Sequence, residues 1–66
     1  MKIQVNGQDE TLNQGATLAD LVAAKGLQGR RIAIEVNEEL VPRSEYGRHG
    51  LQEGDQVEIV QAIGGG

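Results

Sequence analysis

The residues that are best suited to a chemical role are the three consecutive glycines at the end of the sequence, Gly64 to Gly66. Glycine has no Cβ, so a terminal glycine run can lie extended in a channel too narrow for side chains and can bring its carboxylate to a buried reagent. A terminal carboxylate is ionised at neutral pH and is a weak nucleophile, so another molecule has to activate it. We therefore expect Gly66 to end the chain and to carry the chemistry. The alternative is an inert, frayed end, which is common for terminal glycines.

Other residue types that support covalent or metal chemistry are scarce. The chain has no cysteine, so it offers no thiol nucleophile and no thiolate cluster for zinc. Its one histidine, His49, precedes a glycine, and we expect a solvated turn residue rather than a metal ligand. Glu38 and Glu39 form a carboxylate pair in a predicted turn, where carboxylates are ordinarily solvated. The sequence therefore predicts no metal site and no bound cofactor.

Charge and hydropathy narrow the classes of partner. Six basic and ten acidic residues give a net charge of -4, with a pI near 4.7, which is the wrong sign for tracking nucleic-acid phosphates. Arg30 and Arg31 are adjacent at the start of a predicted strand and point to opposite faces, so we interpret them as solvated charges rather than a phosphate-binding patch. No apolar run reaches membrane-spanning length, and the N-terminus lacks the order of a secretory signal. We expect a cytoplasmic protein that binds neither nucleic acid nor membrane.

Alternating apolar residues predict the strands. Lys2 to Val5 alternates, and Asn6-Gly7 is the dipeptide best suited to a type I′ turn, so Gln8 to Leu12 should return as an edge strand. A second turn, Asn37-Glu38-Glu39, should join two later strands. The further predicted strands are Ile32 to Val36, Leu40 to Val41, and Val57 to Ile63.

One α-helix and one shorter helical turn complete the predicted elements. Thr17 is a good N-cap for a helix that begins at Leu18, and Gly26 suits the left-handed position just beyond its end. Pro42 to Gly47 should add a single helical or 3₁₀ turn in which Tyr46 packs its ring and keeps its hydroxyl in water.

The order β-β-α-β-β-β predicts one α+β domain over residues 1–66, with one helix packed on one face of a mixed sheet of four to five strands. This order resembles the β-grasp, or ubiquitin-like, fold, which implies that the first and last strands lie side by side and parallel at the sheet centre. Val60 and Ala62 then lie on the open face and, with Ile63, form an apolar strip that leads into the glycines. We interpret the strip as a docking surface; the alternative is ordinary scattered surface apolars. The predicted core residues are Ile3, Val5, Leu18, Leu21, Val22, Val57 and Ile59.

The glycine end and the order of elements together resemble the ThiS family of sulfur carriers, which serve formation of the thiazole moiety of thiamin. The resemblance covers essentially the whole chain. It departs from the family at Gly64, a third glycine where such tails need only two. The blocks that carry it are Ile3 to Gly7, Val36 to Ser44, Leu51 to Asp55, and Val57 to Gly66.

The resemblance implies a protein co-substrate rather than an enzyme. In the family, the terminal glycine carboxylate attacks the α-phosphorus of ATP on a ThiF-type adenylyltransferase, and sulfur then replaces the adenylate to leave a thiocarboxylate. Thiazole synthase uses that sulfur. Here Gly66 would be the acceptor, and ATP and Mg²⁺ would be bound by the partner, since the chain has no P-loop. We expect a free monomer whose partner-binding residues are Val60, Ala62, Ile63, Gly64 and Gly65.

Three other interpretations remain open from the sequence. A small subunit of molybdopterin synthase or a ubiquitin-related modifier would share the architecture and the glycine end. A plain β-grasp interaction module would carry the same fold with inert glycines. The partner that co-purifies separates the first two from a thiamin carrier, and chemical modification of the tail separates the third.

Overall fold

A five-stranded sheet with one α-helix packed against it forms the body of the protein. The computed structural model describes residues 1–62, and Ile63 to Gly66 lie outside the described residues. In chain order, the elements are β1 (Lys2–Val5), β2 (Gln8–Thr11), α1 (Leu18–Ala24), β3 (Ile32–Val36), β4 (Glu39–Val41), a 3₁₀ helix (Arg43–Arg48) and β5 (Gln56–Gln61).

The strand order is β2-β1-β5-β3-β4. β1 and β5 run parallel, with Val5 opposite Val57. All the other pairs are antiparallel: β2 with β1, and β3 with both β4 and β5. The predicted mixed sheet with the first and last strands parallel at its centre is therefore confirmed. β5 begins one residue before its predicted start and ends at Gln61, so the prediction that Ala62 belongs to the strand is wrong, and the predicted end at Ile63 lies outside the described residues.

The first hairpin closes as its turn residues predict. Asn6 and Gly7 have φ values of 52° and 82°, the left-handed pair that a type I′ turn requires. β2 ends at Thr11 rather than at the predicted Leu12, although the Leu12 N–H still donates to the Met1 carbonyl at 2.9 Å. β2 is an edge strand of the sheet, as the sequence predicts.

The helix begins and ends at local signals. The Thr17 hydroxyl accepts from the Asp20 N–H at 3.2 Å, and the Asp20 carboxylate accepts from the Thr17 N–H at 2.9 Å, which forms a capping box. At the other end Gly26 has a φ of 69°, and the Leu27 N–H reaches back to the Val22 carbonyl at 3.0 Å. Both predicted caps are confirmed. No helix within residues 1–62 is long and apolar enough to cross a membrane.

The core fills the space between the sheet and the helical segments. Of the predicted core residues, only Ile59 is half-buried, and it packs against the rest. Tyr46 is buried in the 3₁₀ helix, as the sequence predicts. No charged side chain within residues 1–62 is buried, so every charge described here is available at the surface. The buried cluster consists of Ile3, Val5, Leu18, Leu21, Val22, Ile34, Val36, Val41, Tyr46, Leu51 and Val57.

The second hairpin differs from its prediction. Its turn has only two residues, Asn37 and Glu38, with φ values of 51° and 70°, and Glu39 already belongs to β4. The tight turn follows from strand pairing, because Val36 lies opposite Glu39 in the β3–β4 register. Glu38 and Glu39 are both exposed, which confirms the predicted solvated carboxylates.

Glu38 offers a test of this backbone. A left-handed φ costs a residue with a side chain about 1–2 kcal/mol, whereas glycine adopts it freely but has more freedom in the unfolded chain. We expect Glu38→Gly to raise the free energy of unfolding by about 0.5–1 kcal/mol, measured by urea denaturation. Glu39→Gly is the matched control: it lies in β4 without a positive φ and should destabilise the protein. If the Glu38→Gly variant is no more stable than wild type, the left-handed conformation of Glu38 does not destabilise the protein.

Candidate functional site

The root of the tail is fixed to the start of β3. Gln61, the last residue of β5, pairs with Ile32, and the next N–H, that of Ala62, donates to the Arg31 carbonyl at 2.9 Å. The backbone is therefore held in the sheet up to the residue that precedes Ile63. Ile63 and the three glycines, to which the sequence assigns the chemistry, lie outside the described residues.

The open face of the sheet carries exposed apolar side chains beside this root. Val60 is 63% exposed and lies opposite Ala33, and Ala62 is also exposed. Leu40 is 68% exposed and lies opposite Glu35 on the same face. The predicted outward positions of Val60 and Ala62 are confirmed, while their partner-binding role stays a prediction. Leu40 was missed, although its alternation with the buried Val41 is the signal that places it outward.

A shallow groove of about 350 Å³ joins Val60 and Ala62 to two arginines. Its apolar floor comes from neighbouring strands that the register holds together, since Ala33 pairs with Val60. Arg31 directly precedes β3, and Arg43 is the first residue of the 3₁₀ helix. The lining residues are Arg31, Ile32, Ala33, Arg43, Val60 and Ala62.

A third arginine belongs to the same corner. The guanidinium of Arg43 donates to the backbone carbonyl of Arg30, and the two side chains also line a neighbouring apolar pocket. We name Arg30, Arg31 and Arg43 the arginine cluster. The predicted exposure of Arg30 and Arg31 is confirmed, but the sequence did not indicate that Arg43 joins them.

Carboxylates occupy the opposite end of the open face. Glu35 and Glu58 lie directly opposite each other on β3 and β5, an arrangement of like charges that ordinarily destabilises a sheet. Glu38 lines the same hollow. The open face therefore runs from an acidic end, near the turn of the second hairpin, through apolar Val60 to Arg31 and Arg43 at the root of the tail.

Two turn asparagines hold β5 in place. The side chain of Asn6 accepts from the Ile59 N–H at 2.8 Å and donates to the Ile59 carbonyl at 3.3 Å, so it extends the β1–β5 ladder past the end of β1. Asn37 acts in the same way at the start of β5, where its side chain accepts from the Gln56 N–H at 3.0 Å. These positioning contacts were missed, since the sequence indicates only the turns.

The described part of the chain offers little chemistry of its own. No group of three histidine, aspartate or glutamate side chains within residues 1–62 is arranged to hold a metal ion. His49 is half-buried rather than fully solvated, and its backbone carbonyl accepts from the Leu18 N–H at 3.0 Å. The arrangement is suited to presenting a tail and a docking face.

Comparison with known proteins identifies the family of this chain. The family model described as the ThiS family matches residues 3–66. The chain belongs to the ThiS family. The sulfur carrier protein ThiS of Escherichia coli is 32% identical to this chain over 66 residues, which cover 100% of both chains. A thiazole synthase of Magnetococcus marinus is 42% identical over 66 residues, and the chain spans only 20% of that protein's length.

Solved structures also place the fold in the ThiS family. The crystal structure of the thiamine biosynthesis protein (ThiS) from Geobacter metallireducens superposes with a TM-score of 0.84 and 28% sequence identity, over 100% of both chains. The predicted resemblance and the β-grasp fold are therefore confirmed. The roles assigned to Gly66 and to the partner-binding residues stay predictions.

Proposed function

We propose that the protein is a sulfur carrier for the thiazole moiety of thiamin and that the carboxylate of Gly66 is its sulfur acceptor. The observation that carries the proposal is the match to the E. coli sulfur carrier protein ThiS over the full length of both chains. The glycine run supports it, because only a tail without side chains fits a channel of backbone width. The docking face beside the root of the tail supports it from the structure.

The chemistry takes place on a partner. The Gly66 carboxylate oxygen attacks the α-phosphorus of ATP bound with Mg²⁺ by a ThiF-type adenylyltransferase; a P–O bond forms and pyrophosphate leaves. Sulfur at the oxidation level of sulfide then attacks the acyl carbon, a C–S bond forms, and AMP leaves to give a thiocarboxylate. This chain supplies the acyl group and the docking surface, and it is a co-substrate rather than an enzyme.

The length of the tail decides how the two proteins meet. The four residues from Ile63 to Gly66 span at most about 13–14 Å when extended. Ordering them in a channel costs about 4–8 kcal/mol, and more for glycine. Burial of exposed apolar area around Val60 and Leu40 offsets that cost at about 25 cal/mol per Å². The folded body therefore has to dock closely for the tail to reach the nucleotide.

Thiazole synthase is the second proposed partner. The M. marinus protein of that name includes a segment similar to this whole chain, which supports thiazole synthase as a partner. A thiocarboxylate on Gly66 would present an ionised sulfur to that enzyme at the end of a thin tether. We place the carrier in the cytoplasm, as a monomer when free.

The intact mass of the protein tests the proposal. Incubation with MgATP, a ThiF-type adenylyltransferase and a sulfide source should raise the mass by the exchange of one oxygen for sulfur, and omission of ATP should abolish the change. E. coli ThiS, treated in parallel, is the positive control. An unchanged mass alongside a modified control would contradict the proposal and favour the inert interaction module, as would a mature chain that continues beyond Gly66.

A further inference from the structure

The side chains of the arginine cluster have no ion-pair partner among the described residues. The ion pairs there join Lys25 to Glu10 and Arg48 to Glu45, so no carboxylate of residues 1–62 lies within ion-pair distance of Arg30, Arg31 or Arg43. Three of the six basic residues of a chain with a net charge of -4 are thus gathered at one corner without neutralisation. Like charges brought together repel one another, and an anionic partner would relieve that repulsion.

The position of the cluster determines what covers it. Arg31 carries the carbonyl to which the Ala62 N–H is bonded, and its side chain lines the groove that also contains Ala62. Under the proposed function, on which this inference rests, only Ile63 to Gly66 enter the channel. With so short a tail, the rim of the channel has to come against the root. The arginine cluster is therefore covered by the same protein that takes the tail.

Covering these charges restricts the chemistry of that rim. A guanidinium removed from water is costly unless a charged or polar acceptor replaces the water. Carboxylates are the protein groups that match its planar donors, and they accept two parallel hydrogen bonds from it. An apolar or basic rim would oppose docking at this corner.

The two ends of the open face add an orientation. Glu35 and Glu58 face each other at the far end, with Glu38 beside them, while Arg31 and Arg43 of the cluster stand at the root. A partner that docked in the reverse orientation would bring its acidic rim against these carboxylates. Juxtaposed like charges suppress such encounters, so the face favours one direction of approach.

We propose that the arginine cluster docks on an acidic rim around the tail channel of the ThiF-type adenylyltransferase, and that it orients the carrier for insertion of the tail. The occupant is a protein surface rich in aspartate or glutamate, with an apolar patch beside it that meets Val60. The nucleotide is not the occupant, because a tail extended into the channel places the acyl group at the far end of four residues.

Association kinetics with charge-reversed variants test the inference. The probe is the ThiF-type adenylyltransferase with MgATP, at low and at high salt. Arg31→Glu and Arg43→Glu should each lower kon at least about tenfold at low salt, and the difference from wild type should shrink at high salt. The matched control is Arg48→Glu, which makes the same change in net charge at an exposed residue that lines neither the groove nor the neighbouring apolar pocket. This control should change kon by less than about twofold.

One further variant separates the effect of charge from that of local structure. Arg43→Glu also loses the bond to the Arg30 carbonyl, so Arg43→Lys, which keeps the charge, should retain most of the wild-type kon. If Arg31→Glu and Arg43→Glu associate as fast as Arg48→Glu, the inference is overturned while conversion of the wild-type tail leaves the proposed function standing. If the enzyme binds the wild-type protein but does not change its mass, the proposed function is contradicted. The same variants then still show whether the arginine cluster contributes to docking. Absence of binding overturns both.

Discussion

Replacing Gly65 with valine should reduce adenylation of the chain at least about a hundredfold while leaving the fold intact. A branched side chain one residue from the acceptor cannot enter a channel of backbone width, and an acyl group displaced by even about 1 Å loses about a hundredfold in rate. The fold should be unaffected because the buried core is built by residues that precede β5's end.

Pyrophosphate release with a ThiF-type adenylyltransferase and MgATP measures the effect, and circular dichroism checks the fold. Gly64→Ala is the matched control: the family resemblance implies that only the last two glycines are needed, so this variant should react at close to the wild-type rate. Gly65→Ala should fall between the two. Wild-type turnover by a folded Gly65→Val variant would show that no narrow channel takes the tail.

The local elements could be predicted because their signals lie within a few residues. The Thr17 cap and its Asp20 partner are three residues apart, and the left-handed Gly26 follows directly from the end of the helical pattern. Asn6-Gly7 likewise encodes its own turn. The second turn was assigned one residue too many because a glutamate at a φ of 70° has no local signature. Pairing between the buried residues of β3 and β4 imposes that conformation.

The candidate site likewise has features that the sequence predicts and features that only the fold brings together. The glycine run and the outward position of Val60 are readable from residue type and alternation. The arginine cluster is not, because Arg43 and Arg30 are 13 residues apart and meet only when the 3₁₀ helix packs beside the loop that precedes β3. The hydrogen bond between the Asn6 side chain and the Ile59 backbone joins residues that are 53 positions apart in the chain. Over that separation, the sequence pattern does not indicate which residues pair. The glycine tail could therefore be singled out from the sequence, whereas the arginine cluster could be seen only in the fold.

Replacing Val60 with aspartate should weaken binding to the adenylyltransferase at least about a hundredfold. Val60 stands at the middle of the open face and is 63% exposed, so it can be buried only by a partner. A carboxylate buried in that contact would be unpaired, or would occupy Arg31 and Arg43 in the same groove and withhold them from the acidic rim. Either effect opposes docking, and a cost of about 3 kcal/mol corresponds to the expected loss.

Titration calorimetry of the carrier into the adenylyltransferase measures this dissociation constant. Thr11→Asp is the matched control, since it adds the same charge at an exposed β-branched residue on the edge strand β2, two strands away from β5. Val60→Ala removes apolar area without adding charge and should cost only severalfold. If Val60→Asp binds as tightly as Thr11→Asp and melts at the same temperature, the enzyme does not cover this face. Docking would then have to use another surface, because a tail of four residues cannot supply the affinity alone.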